Sequence, residues 1–322
     1  MPSLKEIKGR IASVNSTRKI TSAMKMVASS KLHHAQLVIE NMLPYERLLE
    51  HMLKTFLASE IDAKTIYSSE RKVKRAALVV YSSNSSLCGG FNANIIKLLL
   101  QTIDDYKANG VSDIVIYPIG RKVAEKAVKL GLNVAGDFTS LVDKPNVAKC
   151  IEIANELGSK FAGGEIDRVE LIYHHFKSAG SQILTRKLFL PIDVYGQLQE
   201  DKERDLKSNV ATREAVEYLR QRDKKNTSSN KEETVPLNDN FIVEPDLDTV
   251  LNALIPKLAH LMIYTALLDS VASEHAARMV AMQTATDNAD ELLRDLNLQY
   301  NKSRQQAITS ELLDIVGGSV NN

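Results

Sequence analysis

The pattern closest to a chemical site is the loop at residues 82–90, SSNSSLCGG, which lies between an apolar run and an amphipathic stretch. A glycine-rich loop leading into a helix can cradle a phosphate, because the first N–H groups of a helix have no internal partner. This loop is neither GxGxxG nor GxxxxGK[ST], and no acidic residue closes the second strand to hold a ribose. It reads as a tight strand-to-helix turn in which glycine allows close packing. Cys88 as a nucleophile would need a base, and nothing in the sequence identifies one. His33–His34 and His174–His175 are adjacent pairs. Neighbours on a helix or strand point apart, so these read as surface or structural histidines rather than ligands of one metal. HExxH, DxDxDG and GxSxG do not occur. Two cysteines, Cys88 and Cys150, are too few for a disulfide scaffold or a cysteine metal site and fit a reducing compartment. No catalytic, cofactor-binding or metal-binding residue is therefore assigned, and no cofactor is expected.

Composition points the same way. The 322 residues are 44% hydrophobic and 25% charged, with 41 basic against 40 acidic side chains, so no global charge draws the chain to nucleic acid. No run of about 18 uncharged apolar residues occurs, which predicts no membrane span. The start, MPSLKEIKGR, lacks the apolar core of a signal peptide. Aromatics make up 5% with no Trp, and 14 Gly and 8 Pro favour long helices over an all-β fold.

Both ends carry those helices. Ser3, with Glu6 three residues on, makes a capping box. Leu4, Ile7, Ile11, Val14, Ala28, Leu32, Ala35, Ile39 and Met42 then recur at the coiled-coil spacing, and Arg18, Thr21 and Lys25 interrupt the seam. At the other end Leu247, Leu251, Leu254, Leu258 and Leu261 open a seam. It continues through Leu268, Ala272, Met279, Met282, Ala289, Leu293, Leu296 and Tyr300 to Ile308, Leu312 and Ile315. Pro256 is expected to kink or restart this helix, and Gly317–Gly318 to end it. About 55 to 60 residues at 1.5 Å each span roughly 80–90 Å, against about 40 Å for a domain of this size, so the helix is expected to project.

The middle alternates strand and helix. Strands are predicted at Ala76–Tyr81, Asp113–Tyr117, Arg168–His175 and Ile183–Leu190. Helices are predicted at about Phe91–Lys107, Arg121–Leu130 and Val147–Phe161. Such alternation implies an α/β domain with a mainly parallel sheet. Residues 199–233 are dense in charge, without Gly or Pro, and read as loop with a short solvated helix.

The N-terminal helix carries Lys5, Lys8, Arg10, Arg18, Lys19, Lys25 and Lys31 against Glu6 alone through residue 36. A solvated face, a basic arm and a helix seated on an acidic protein surface all fit this pattern. The lack of any aromatic before Tyr45 argues against stacking on single-stranded nucleic acid. Two other readings of the whole are an α/β nucleotide-binding protein with coiled-coil arms and a self-associating coiled-coil scaffold. The first would need the missing phosphate motif. Two unlike seams in one chain favour intramolecular pairing over the second.

Three runs are decisive: IASVNSTRKITSAMKMVASSKL at residues 11–32, SEHAARMVAMQTATDN at 273–288, and NLQYNKSRQQAITSELLDI at 297–315. Together with LCGGFN at 87–92, they resemble the gamma subunit of rotary F-type ATP synthases, bacterial-like, over residues 3–318. The resemblance implies an α/β fold with a long antiparallel coiled coil of the N- and C-terminal helices plus a central Rossmann-like domain. Its parts would be a shaft helix at 1–57, a foot domain at 73–240 with a charged insertion at 199–240, and a second shaft helix at 241–322.

The implied function is that of the central rotor shaft. It would couple ion-driven rotation of a c ring to conformational changes at beta-subunit catalytic sites, with no active site of its own. Implied partners are the alpha and beta subunits around the shaft, the epsilon and delta subunits and the c ring, with no nucleic acid and no direct membrane span. The implied location is peripheral, on the cytoplasmic face of the bacterial inner membrane. By motif, Met24, Lys25, Arg278, Arg304, Gln305, Thr309 and Glu311 would meet the beta subunits. Ile308, Leu312, Leu313, Ile315 and Val316 would form an apolar tip turning in the hexamer's collar, and Phe241 and Glu244 would touch the c ring. Lys25 stands where some relatives carry a carboxylate, and Phe241 replaces a common Tyr. The insertion falls where photosynthetic gammas carry a regulatory dithiol; it has no Cys, which excludes that redox control.

Overall fold

A computed structural model describes residues 3–59, 67, 71–111, 113–192, 244 and 246–320. Its elements in chain order are α1 (Leu4–Ser59), β1 (Arg75–Tyr81), α2 (Phe91–Ala108), β2 (Asp113–Ile119), α3 (Arg121–Lys129), β3 (Asn133–Val134), α4 (Ser140–Asp143), α5 (Val147–Ala162), β4 (Arg168–Ser178), β5 (Ser181–Leu190) and α6 (Leu247–Val320). The chain divides into two compact units, Met1–Ala28 with Arg278–Asn322, and Ser29–Ala277. Helices α1 and α6 each contribute to both.

In the larger unit the strands form one sheet of order β3-β2-β1-β4-β5. β1 runs parallel to β2 and to β4, β2 runs parallel to β3, and β5 returns antiparallel to β4. The predicted parallel-dominated sheet is thus present, closed by one hairpin. β3 and α4 were not expected; at two and four residues they are too short to impose a hydrophobic period.

The run AALVVY is apolar throughout because β1 is central and covered on both faces. Ala76, Leu78 and Val80 pack with Ile95, Leu99 and Ile103 of α2 and Val123 and Ala127 of α3. On the opposite face Tyr81 is buried, and its hydroxyl donates to the Ile263 carbonyl of α6 at 3.0 Å. Tyr173 meets the Tyr81 ring edge-on at 6.2 Å. Each fully buried aliphatic side chain contributes about 1.5–3 kcal/mol.

Two polar devices fix the sheet's surroundings. Glu170 of β4, almost fully buried, is held by Arg186 of β5, whose Nε lies 2.6 Å from Oε2, and by Arg168 at 3.1 Å. Arg186 also reaches Asp105 of α2 at 2.9 Å. On the α6 side, His175 Nδ1 lies 2.7 Å from the buried Asp269 carboxylate. Ser273 donates to the His174 carbonyl at 3.2 Å. The ends of β1 and β2 touch at Gly120, which has φ +114; a Cβ there would lie 2.1 Å from the Ser82 carbonyl oxygen.

The smaller unit pairs the start of α1 with the end of α6. Ser3 Oγ accepts from the Glu6 amide at 3.2 Å, as expected of a cap. Glu6 does not complete the capping box; its carboxylate takes Arg10 at 3.0 Å. Ile7, Ala28, Met279, Met282, Ala289 and Leu296 are buried along the seam. Arg18 Nη1 reaches Asp290 at 3.0 Å and Thr21 Oγ1 reaches Thr286 Oγ1 at 2.9 Å. The pairs climb α1 while descending α6, so the two segments are antiparallel.

Three expectations about the last helix change. α6 is continuous through Pro256, which neither ends nor restarts it. It also runs past Gly317–Gly318 to Val320, and α1 likewise continues through Pro44. The buried seam does not reach Ile308 and Leu312, which are exposed, because α1 has run out of residues to face them. Within Thr249–Leu313 one 18-residue window is apolar enough to cross a membrane by length and composition, with 56% of it buried inside the molecule. Lys257 and Asp269 interrupt the apolar stretch at the start of α6, which is why no uncharged run revealed it. The large side chains of this part of α6, Leu258, Ile263, Leu267 and Leu268 among them, are buried in the fold.

Candidate functional site

The glycine loop is a closed polar knot. Leu87 and Gly89 take left-handed backbone angles, φ 67 and φ 59. Asn92 Nδ2 donates to Cys88 Sγ at 3.1 Å and to Ser83 Oγ at 2.7 Å, while Asn92 Oδ1 accepts from the Ser83 amide at 3.1 Å. Asn84 donates to the Thr139 carbonyl and the Asp143 carboxylate, both at 2.8 Å, and accepts from the Arg121 amide. These groups hold one another in a turn, as its sequence suggested. Cys150 is buried in the core, and burial pushes its thiol up to about 12, so it stays protonated. His174 stacks on Phe91 at 4.4 Å, and burial lowers its pKa to about 4. Among the described residues no group of three or more His, Cys, Asp or Glu is placed to hold a metal ion. A cavity of about 120 Å³ lies between α5 and α6, where His260 Nε2 and Asn155 Oδ1 are 2.7 Å apart across its rim. Burial lowers the His260 pKa as well.

The surface suited to a partner is the end of the helix pair. Continuing the register of the Arg18–Asp290 and Thr21–Thr286 pairs brings the first turn of α1 opposite Ser303. Among the described side chains that is the last partly buried position of α6; residues 304–313 are all exposed. This stretch collects most of the positions singled out by motif. Arg304, Gln305, Thr309 and Glu311 are exposed, with Ile308 at 49%, Leu312 at 57% and Leu313 at 65%. The Thr309 hydroxyl donates to its own helix at Gln305 O, 2.9 Å away. Large apolar side chains left in water on a helix end mark a contact surface.

The remaining positions are spread out. Met24, Lys25 and Arg278 are half-buried at the other end of the helix pair. Glu244 is exposed in the larger unit. Phe241 lies outside the described residues, as do the side chains of Ile315 and Val316. Sequence reasoning missed Ile20, Met26 and Val27, exposed at 60%, 61% and 56% on α1. They fall between the seam positions, and an apolar residue off the seam was the signal. Exposed Lys5, Lys8, Arg10 and Lys19 share this part of α1.

The chain combines an α/β domain with two long terminal helices, the second exposed over residues 304–313. The sequence matches the ATP synthase family over residues 3–320. It is 52% identical to the ATP synthase gamma chain of Phocaeicola vulgatus over 320 residues, covering 99% of this chain and 100% of that one. It is 50% identical to that of Bacteroides thetaiotaomicron, again covering 99% and 100%. The fold resembles a chain of the Tetrahymena thermophila mitochondrial ATP synthase central stalk and c-ring structure, with TM-score 0.51 and 25% identity over 83% of this chain and 99% of that one. It also resembles a chain of the Euglena gracilis mitochondrial ATP synthase, with TM-score 0.60 and 18% identity over 98% and 93%. The chain belongs to the ATP synthase gamma chain family, and its role is that of the rotor shaft.

Proposed function

We propose that the shaft is formed by residues 1–57 and 241–322 and the foot by residues 73–240, and that the shaft turns inside a ring of alpha and beta subunits. The foot meets the c ring, with Phe241 and Glu244 on the ring side, and the epsilon and delta subunits belong to the same complex. The assembly sits on the cytoplasmic face of the inner membrane, with this chain peripheral to it.

The observation that carries this reading is the unpartnered end of α6, residues 304–313. A rotor needs contacts that form at one angle and release at the next. Gln305 and Thr309 share one helix face, and Arg304, Ile308 and Glu311 the next. The polar strip makes angle-dependent contacts with beta subunits, together with Met24, Lys25 and Arg278. The apolar strip of Ile308, Leu312, Leu313, Ile315 and Val316 serves as a bearing. Because the shaft is asymmetric, each angle favours a different set of open and closed beta conformations through differential contact energy. Ion flow through the ring turns the shaft, and the affinity changes release ATP; hydrolysis runs the cycle backwards.

Purifying the tagged chain from its own cells tests the assembly: alpha, beta and epsilon subunits should come with it, and a chain recovered alone would overturn the reading. Rotation assays on the complex test the roles. Arg304→Ala or Gln305→Ala should leave it assembled with lower turnover, and ending the chain after Leu313 should be milder. The reverse order would exchange the two surfaces.

A further inference from the structure

The middle of the helix pair in the smaller unit is polar, and its partners are specific. Between Val14 and Ala28 the α1 seam offers Arg18, Thr21 and Lys25 and no large apolar side chain. Thr21 is 9% exposed and lies against Thr286, while Arg18 reaches Asp290 one turn away. Each threonine hydroxyl also approaches a carbonyl of its own helix, Thr21 the Arg18 oxygen at 3.0 Å and Thr286 the Met282 oxygen at 2.8 Å. Two hydroxyl protons serve these three contacts. One threonine therefore donates to its own helix while the other donates across the seam, and the two arrangements exchange by rotating two hydroxyls. The bond across the seam exists only when Thr21 faces Thr286.

A slide of α1 by one heptad puts Thr21 against Met279 or Leu293 and separates Arg18 from Asp290. The apolar seam alone opposes such a slide weakly. It repeats every seven residues, so in the shift that pairs Val14 with Tyr300, Ile7 again meets an apolar neighbour, Ala307, and only Ile11 meets a polar one, Ser303. After the slide each hydroxyl still donates to its own helix, but the bond across the seam is gone and each threonine faces an apolar side chain. We propose that Thr21–Thr286 and Arg18–Asp290 are a register lock. This polar layer holds the two shaft helices at one axial offset, so that load on one helix turns the other instead of shearing past it. Arg18 and Asp290 are each close to half exposed and set direction more than stability. The lock rests on the helix pair itself and holds whether or not the contacts proposed for residues 304–313 are correct.

The test is intrachain disulfide formation in the full-length chain, whose two native cysteines are buried. Val14→Cys with Leu293→Cys reports the observed register, and Val14→Cys with Tyr300→Cys reports a one-heptad slide. In the otherwise unaltered chain the first pair should crosslink and the second should not. Replacing the lock with apolar residues (Arg18→Leu, Thr21→Val, Thr286→Val and Asp290→Leu together) should raise crosslinking of the slid pair about tenfold or more, because the seam then has near-equivalent offsets. The same chain should melt at an equal or higher temperature, which separates loss of register from loss of folding. Thr21→Ser with Thr286→Ser keeps the hydroxyls and should retain the single register. Crosslinking that stays confined to the first pair in the apolar variant would overturn the proposal. So would a melting temperature that falls while the register is kept, since the layer would then be acting as ordinary packing.

Discussion

At the scale of single residues, burial changes what a side chain can do. His174 is held near pKa 4 against an ordinary value near 6.5, because its ring is buried against Phe91. A base whose folded pKa is depressed binds its proton more readily unfolded. Its contribution to stability is therefore full above pH 6.5 and is lost as pH falls toward 4. His174→Phe keeps an aromatic ring on Phe91 and removes the titration. Urea unfolding at pH 7 and pH 5 should show the variant losing about 2 kcal/mol less than the parent between the two. Gly120→Ala should cost several kcal/mol by the same assay, since φ +114 and a carbonyl 2.1 Å from the new Cβ both oppose it. The sequence showed which residues were polar in an apolar seam, Arg18 and Thr21 among them. It did not show their partners, because Asp290 and Thr286 lie 272 and 265 positions away. His174 and His175 read as structural or surface from spacing alone. That one is stacked and the other paired with Asp269 depends on α2 and α6 meeting β4 from opposite sides.

At the scale of elements, length and period decided what could be read. β1, β2, α2, α3 and α5 carry full hydrophobic patterns, and the structure has them within a few residues of the expected bounds. Pro256 does not restart the helix, because the burial of Leu254, Ile255 and Leu258 around it offsets the lost backbone hydrogen bond. The end of α6 misled in the opposite sense. Ile308 and Leu312 keep the spacing of a seam, but a seam needs a second helix and α1 begins at Leu4. Leu312→Ser and Leu313→Ser should therefore leave the chain's own unfolding free energy within about 0.5 kcal/mol. Leu32→Ala, at a fully buried α1 position, should cost about 2–5 kcal/mol. Thermal and urea unfolding compare the three, and a large loss for the tip variants would mean that the tip packs against the chain itself.

At the scale of the whole molecule, a mechanical role leaves a different trace from a catalytic one. No short motif identifies it; the long terminal patterns do, and they were legible in the sequence. The charged insertion, residues 199–233, lies outside the described residues, and its polar composition can bury little apolar surface. Deleting it should leave the complex assembled while changing ATP hydrolysis more than synthesis, as read by paired rate measurements on membranes. Failure to assemble would make the segment part of the fold. The pairing of the first 28 residues with those after 277 also sets a timetable for biosynthesis. The ribosome delivers the first half of this helix pair about 250 residues before its complement, Ala28 to Arg278. At about 5–20 residues per second, the interval is roughly a quarter of a minute to a minute. Throughout it Ile7, Ile11, Val14 and Ala28 emerge into the cytosol ahead of any mate. The nascent N-terminus is thus without its helix mate for that interval, and a released chain ending at Ala277 should show residues 3–28 open to protease while the larger unit resists.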